Sequence, residues 1–184
     1  MKSRNLVLAA ALLSLILTGC SKPDPVSVVK GSTLSIDKSA TIGNVFDNYK
    51  YFKSVSWEAG QDEQKREIVT FKGKYDLDKF ADASATRLVN GVQLFAESTA
   101  EDVVRAKQNG LDFIFIAQFR MAVDGSSFDI GFAGIRALEM EDGKRIANEY
   151  ADEDSEDLAA IYKNRPSPTV IVRVMWNSAQ MPQR

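Results

Sequence analysis

The 184-residue chain contains no histidine and one cysteine, Cys20. Without imidazole there is no Ser-His-Asp or Cys-His pair, no histidine-based zinc site and no side chain that ordinarily titrates near neutrality. A single cysteine cannot close a disulfide within the chain, so stability must come from a packed core. Basic runs are also missing, and formal charge is −2. Nucleic acid and anionic lipid headgroups, which recruit clustered Lys and Arg, are poorly matched partners. The longest apolar stretch, Leu6 to Leu17, has twelve residues. That is short of the ~20 needed to span a bilayer as a helix.

What survives these exclusions is carboxylate or lysine chemistry, of which a paired-acid glycoside hydrolase is the concrete case. Glu58, Asp62, Asp76, Asp78, Asp112, Asp129 and Glu139 are of the right type. Nothing in their spacing selects a pair, so the domain reads as non-enzymatic. Glu149, Asp152, Glu153, Asp154, Glu156 and Asp157 place six carboxylates within nine residues. A calcium loop of the EF-hand kind counted from Asp152 would need Gly at its sixth position and Glu at its twelfth, where Asp157 and Lys163 stand. The acids suit a helix N-terminus instead, capped by Asp154 or Ser155. No metal and no cofactor is expected.

The twelve-residue apolar run follows Lys2 and Arg4 and leads into Leu17-Thr18-Gly19-Cys20. A positive start, a short apolar stretch and small residues before the cut describe a secretory signal. With the cysteine in place, the segment resembles the lipobox of bacterial lipoproteins. That resemblance implies cleavage after residue 19, a diacylglyceryl thioether on Cys20 and, usually, a further acyl chain on its amine. Ser21 rather than Asp after the cysteine implies the periplasmic face of the outer membrane. Removal of 19 residues from 184 leaves 165, enough for one domain. It also removes Lys2 and Arg4, taking the formal charge from −2 to −4.

Pro23 and Pro25 follow closely, and proline disfavours helix at the residue before it. The reading is a flexible tether over 20–36, reaching up to ~45 Å if extended, a single globular domain over 37–178, and a tail over 179–184. Within the domain, Ile42, Val45, Phe46 and Tyr49 have helical spacing. Tyr51 to Trp57 and Val69 to Leu77 alternate as strands around a polar stretch, 58–66. Residues 79–97 admit either a hairpin about Asn90-Gly91 or a weak helix. Ser98-Thr99-Ala100-Glu101 resembles a capping box for a helix ending at Asn109-Gly110. Phe113 to Met121 reads as a central strand, followed by the turn Asp124 to Ser127, a strand from Phe128 continuing to Met140, and a turn Glu141 to Lys144. A helix over Ser155 to Lys163 and a last strand, Thr169 to Trp176, complete the reading. The fold class is α+β, mainly an antiparallel sheet built from hairpins, with two to four short helices packed on one face.

Segments Thr41-Ile42-Gly43-Asn44 and Tyr49-Lys50-Tyr51-Phe52, with Trp57 and Val69-Thr70-Phe71-Lys72-Gly73, resemble the opening of small bacterial envelope lipoproteins of unassigned activity. That likeness supplies no functional residue. Tyr49, Tyr51, Phe52 and Trp57 lie within nine residues. Core packing accounts for such a cluster, and outward-facing Tyr51 or Trp57 would serve as anchors for a protein partner. Trp176 carries the same two readings. The expected function is that of a membrane-anchored module binding envelope proteins. The alternatives are a carrier or sensor of a small apolar ligand and, further off, a carboxylate hydrolase.

Overall fold

The structure, a computed structural model, describes residues 22–89, 92–141, 144–152 and 155–179. The signal segment, Cys20, Asn90-Gly91, Asp142-Gly143, Glu153-Asp154 and 180–184 lie outside the described residues.

The described residues begin with a helix where a tether was expected. Helix α1, Pro25–Gly31, buries Val29 completely, and the Asp24 carboxylate accepts the Ser27 amide at 3.0 Å. Proline is preorganised for the first position of a helix, where its missing N–H costs nothing, and Asp24 supplies the cap. Residues 25–31 therefore belong to the globular unit, which begins well before residue 37.

Helix α2, Ile42–Asp47, is capped by Thr41 and buries Ile42 and Phe46. Strands β1, Phe52–Gln61, and β2, Glu67–Tyr75, pair antiparallel. The polar connection is thus shorter than the expected 58–66: Asp62 folds it back by accepting the amides of Gln64 and Arg66. After a single 3₁₀ turn, Leu77–Phe80, strands β3, Ala83–Val89, and β4, Val92–Ser98, form a separate hairpin. Val89 pairs with Val92, so of the two readings of 79–97 the hairpin is the one found.

Helix α3, Ala100–Gln108, has its capping box one residue later than expected, between Thr99 and Asp102. Strand β5, Asp112–Met121, is the middle strand of a five-stranded antiparallel sheet of order β1-β2-β5-β6-β7, with β6 spanning Phe128–Glu141 and β7 Lys144–Ala151. No strand was expected at β7. Helix α4, Glu156–Tyr162, falls within the expected span. The final element is a second correction: Pro168–Ala179 is helix α5, not a strand. Its β-branched composition favours a strand, but the buried residues Val170, Ile171, Val174 and Ser178 share one helical face.

The architecture is α+β, as expected, and the described residues hold five helices where two to four were expected. One sheet face carries Val69, Phe71, Phe113, Phe115, Phe119 and Ile135, all fully buried. Phe46 of α2 lies over them, its ring 4.7 Å from Phe71, 6.0 Å from Phe115 and 6.4 Å from Phe119. Gly73 is needed here: a Cβ would stand 2.5 Å from the Phe52 ring that covers it. The opposite face is laced by cross-strand ion pairs, Lys72–Glu58 at 2.9 Å and Arg120–Asp129 at 2.6 Å among them. Such exposed pairs contribute little stability each, and they mark the face as solvated.

Candidate functional site

Of the residues singled out in the sequence, Cys20 lies outside the described residues. Tyr51 is only 9% exposed, its ring 5.4 Å from Tyr49 and 5.0 Å from Phe80. Trp57 is half-buried at the sheet edge, 4.8 Å from Phe71 and stacked 5.9 Å from Phe46. Its indole N–H donates to Asp47 Oδ1 at 2.8 Å, and the Lys30 ammonium sits over the ring while pairing with Asp47 at 2.6 Å. Neither is an outward anchor. Both are spent on the core, because the helix that buries Trp57 from one side is α1, in the segment read as tether. Trp176, by contrast, is 62% exposed on α5.

Two of the six clustered acids, Asp152 and Asp157, form a polar knot joining α4 to α5. Asp152 accepts the amides of Asp157 at 3.1 Å and Leu158 at 2.8 Å, so it caps α4, a role expected of Asp154 or Ser155. Ser155 makes no side-chain cap bond. Asp157 is buried and accepts the Ser167 hydroxyl at 2.5 Å and the Thr169 amide at 3.3 Å. Ser167 Oγ in turn accepts the Val170 amide at 3.2 Å. The first free amides of α5 are thereby satisfied by two side chains. Burial pushes the Asp152 carboxyl above its ordinary range, against the pull of the Leu158 amide and with the help of the neighbouring Asp157 charge.

Tyr49 and its neighbour Lys50 pin the corner that follows α4. Tyr49 donates its hydroxyl to the Arg165 carbonyl at 2.6 Å, and the Lys50 amide donates to Asn164 Oδ1 at 3.1 Å. Burial, then the Asp157 charge, holds the Tyr49 phenol far above its usual range. Tyr75 is fully buried beside Ser167, and its hydroxyl makes no hydrogen bond of ordinary geometry among the described residues. Donors and acceptors in the knot are turned on one another, which is the chemistry of a brace. Among the described residues no group of three or more acidic or thiol side chains is placed to hold a metal.

The brace positions a surface. The corner residues Arg165, Pro166 and Pro168 form one wall of an open groove of about 400 Å³. Ala159 and Ala160 of α4 and Lys163 at its C-terminal cap line it, as do Ser84, Thr86 and Phe95 of the β3–β4 hairpin. Phe95 is 69% exposed and its neighbour Leu94 49%. Thr86 pairs with Phe95 and Arg87 with Leu94, so the two large side chains occupy opposite faces of one hairpin. Sequence reasoning missed both, since they fall in the segment where hairpin and helix were equally open. The Val-Gln-Leu-Phe run beyond Asn90-Gly91 was the available signal.

Compared with protein-family models, curated proteins and solved structures, the chain matches none.

Proposed function

We propose that this protein is a lipid-anchored envelope module, held on the periplasmic face of the outer membrane through Cys20, that binds another protein by its β3–β4 hairpin. The observation that carries the contact is the pairing of a braced corner with exposed Phe95 in one groove. Large apolar side chains surrounded by small or polar ones are the usual anchors of protein interfaces. The anchor adds affinity without contact area: two proteins confined to one surface meet at a raised effective concentration. A carrier of apolar ligands would need room between sheet and helices, and that layer is filled by rings from Phe46, Phe71, Phe115 and Phe119 at centroid distances of 4.7 to 6.4 Å.

A photo-crosslinking residue placed at position 95 in intact cells tests this, with position 56 on the solvated edge of β1 as control. A single adduct from 95, absent from 56 and lost when Cys20→Ala frees the domain from the membrane, is the expected result. Equal adducts from both positions, or none from 95 in the anchored protein, would sink the hairpin assignment. Mass spectrometry showing an intact Met1 or an unmodified Cys20 thiol would remove the anchor.

A further inference from the structure

The end of the sheet that carries the β1–β2 and β5–β6 turns is, we propose, the end that rests on the bilayer, with Val123 at the lipid surface and the strands standing away from it. The inference rests on the acylation of Cys20 and adds an orientation to it. A free tether would have left the domain in any attitude. The structure instead fixes Lys22, two residues after the cysteine. Its ammonium pairs with Glu67 at 2.5 Å, at the start of β2. Its aliphatic stem lies across Gly125 so closely that a Cβ there would stand 2.6 Å from Cε. Gly125 also has a φ of +71°, which glycine adopts without strain.

Two residue steps span at most about 7 Å. An acyl anchor on Cys20 would therefore be held by covalent reach alone within that distance of the Lys22 backbone. The end of the sheet that Lys22 contacts is well defined: Gln61 pairs with Glu67 and Met121 with Phe128, so both turns leave the sheet on one side. At the tip of the second turn Val123 is fully exposed, next to Asp124, whose carboxylate accepts the Ser126 amide at 3.0 Å. No other large apolar side chain described is exposed to that degree.

Charge does not drive the contact. Lys22 is paired with Glu67 and Arg66 with Asp62, while Glu63 and Asp124 stand against Lys65 alone, for a net charge of −1. A surface so weakly charged is not drawn to anionic headgroups. Its lipid contact depends on the short covalent connection and on one valine. Lys53 marks the far end, about 25 Å further along β1 at the usual rise of a strand.

The test uses the protein in its lipidated form, extracted from membranes, with the variants Val123→Cys and Lys53→Cys. Each introduced thiol is labelled with a small fluorophore, and the protein is placed in phosphatidylcholine vesicles bearing a headgroup nitroxide. Emission lost at 123 and retained at 53 is expected, unchanged when part of the lipid is replaced by phosphatidylglycerol. Ser126→Cys, on the same turn, should follow 123. Vesicle-bound protein whose labels at 123 and 53 are quenched equally, or whose label at 53 is quenched more, overturns the orientation and leaves the anchor standing. Protein that stays off the vesicles with Cys20 unmodified overturns both.

Discussion

The five-stranded sheet and the β3–β4 hairpin are built from the same antiparallel pairing, yet they distribute side-chain size in opposite ways. In the sheet the large residues are inside, as in the pairs Trp57 with Phe71 and Phe115 with Ile135, and small ones such as Gly73 and Ala137 make room for them. In the hairpin the small residues are inside. Ala83, Ala96 and Ser98 are buried, Ser98 donating its hydroxyl to the Phe80 carbonyl at 2.5 Å, while Leu94 and Phe95 project. Burying a large apolar side chain is worth roughly 1.5–3 kcal/mol. A chain that leaves Phe95 in solvent while enclosing Ala96 forgoes that gain at the hairpin, and the contrast separates a region built for stability from the one proposed for contact.

The sheet side should break first. Phe71→Ala removes a fully buried ring touching Phe46, Trp57 and Phe52, and such truncations cost about 3–5 kcal/mol. For a domain of this size that lowers Tm by about 10 °C, read by thermal or urea denaturation. A smaller loss is expected at the knot. Asp157→Ala leaves the Ser167 hydroxyl and the Thr169 amide without their acceptor, for about 1–3 kcal/mol. Amide exchange over 164–170 should accelerate with it, because the same bonds hold the corner.

The two regions also differ in the sign of their response to acid. Asp102, beside the hairpin, is partly buried, which works to raise its carboxyl, but donors from Ser178 and Thr99 outweigh burial and leave it below the ordinary 3.8. Unfolding then takes up protons at acid pH, so its contribution is present above 3.8 and lost as pH falls. Asp152, at the end of the sheet, has a raised carboxyl, so its contribution is intact below 3.8 and lost as pH rises through the folded-state value. Denaturation midpoints between pH 2 and 6 should show the acid-side loss reduced by Asp102→Asn and the opposite slope reduced by Asp152→Asn. Asparagine retains capping ability, so the cost of either at neutral pH is held to about 1 kcal/mol.

Most of the large sheet was legible because period-two alternation needs no partner to be read: Val69, Phe71, Gly73 and Tyr75 face one way wherever the next strand lies. Both failures at the ends of the domain share a cause. Asp24-Pro25 and Ser167-Pro168 each put a capping side chain before a proline at the first helical position. Proline taken alone favours a break at the first, and the branched side chains of Val170-Ile171-Val172 favour a strand at the second. In each, a core contact decided the matter: Val29 against the sheet, Ile171 and Val174 under the hairpin. The exposed Phe95 could not have been found by alternation alone. That pattern shows that Leu94 and Phe95 face opposite ways, and only the packing of α5 beneath β3 and β4 determines which face of the hairpin is covered.

The smallest effect on stability is expected where the proposed effect on binding is greatest. Phe95→Ser removes a ring that is 69% exposed, and surface changes of this kind stay within about 0.5 kcal/mol. Its Tm should match that of the parent protein, while capture through a crosslinker at the neighbouring position 94 is lost. The comparison with Phe71→Ala then becomes a double dissociation: one phenylalanine whose loss destabilises the domain, another whose loss is silent in folding and read only in the proposed binding. A Tm for Phe95→Ser as low as that of Phe71→Ala would mean that the ring serves the core after all, and the division between the two sheets would lose its functional meaning.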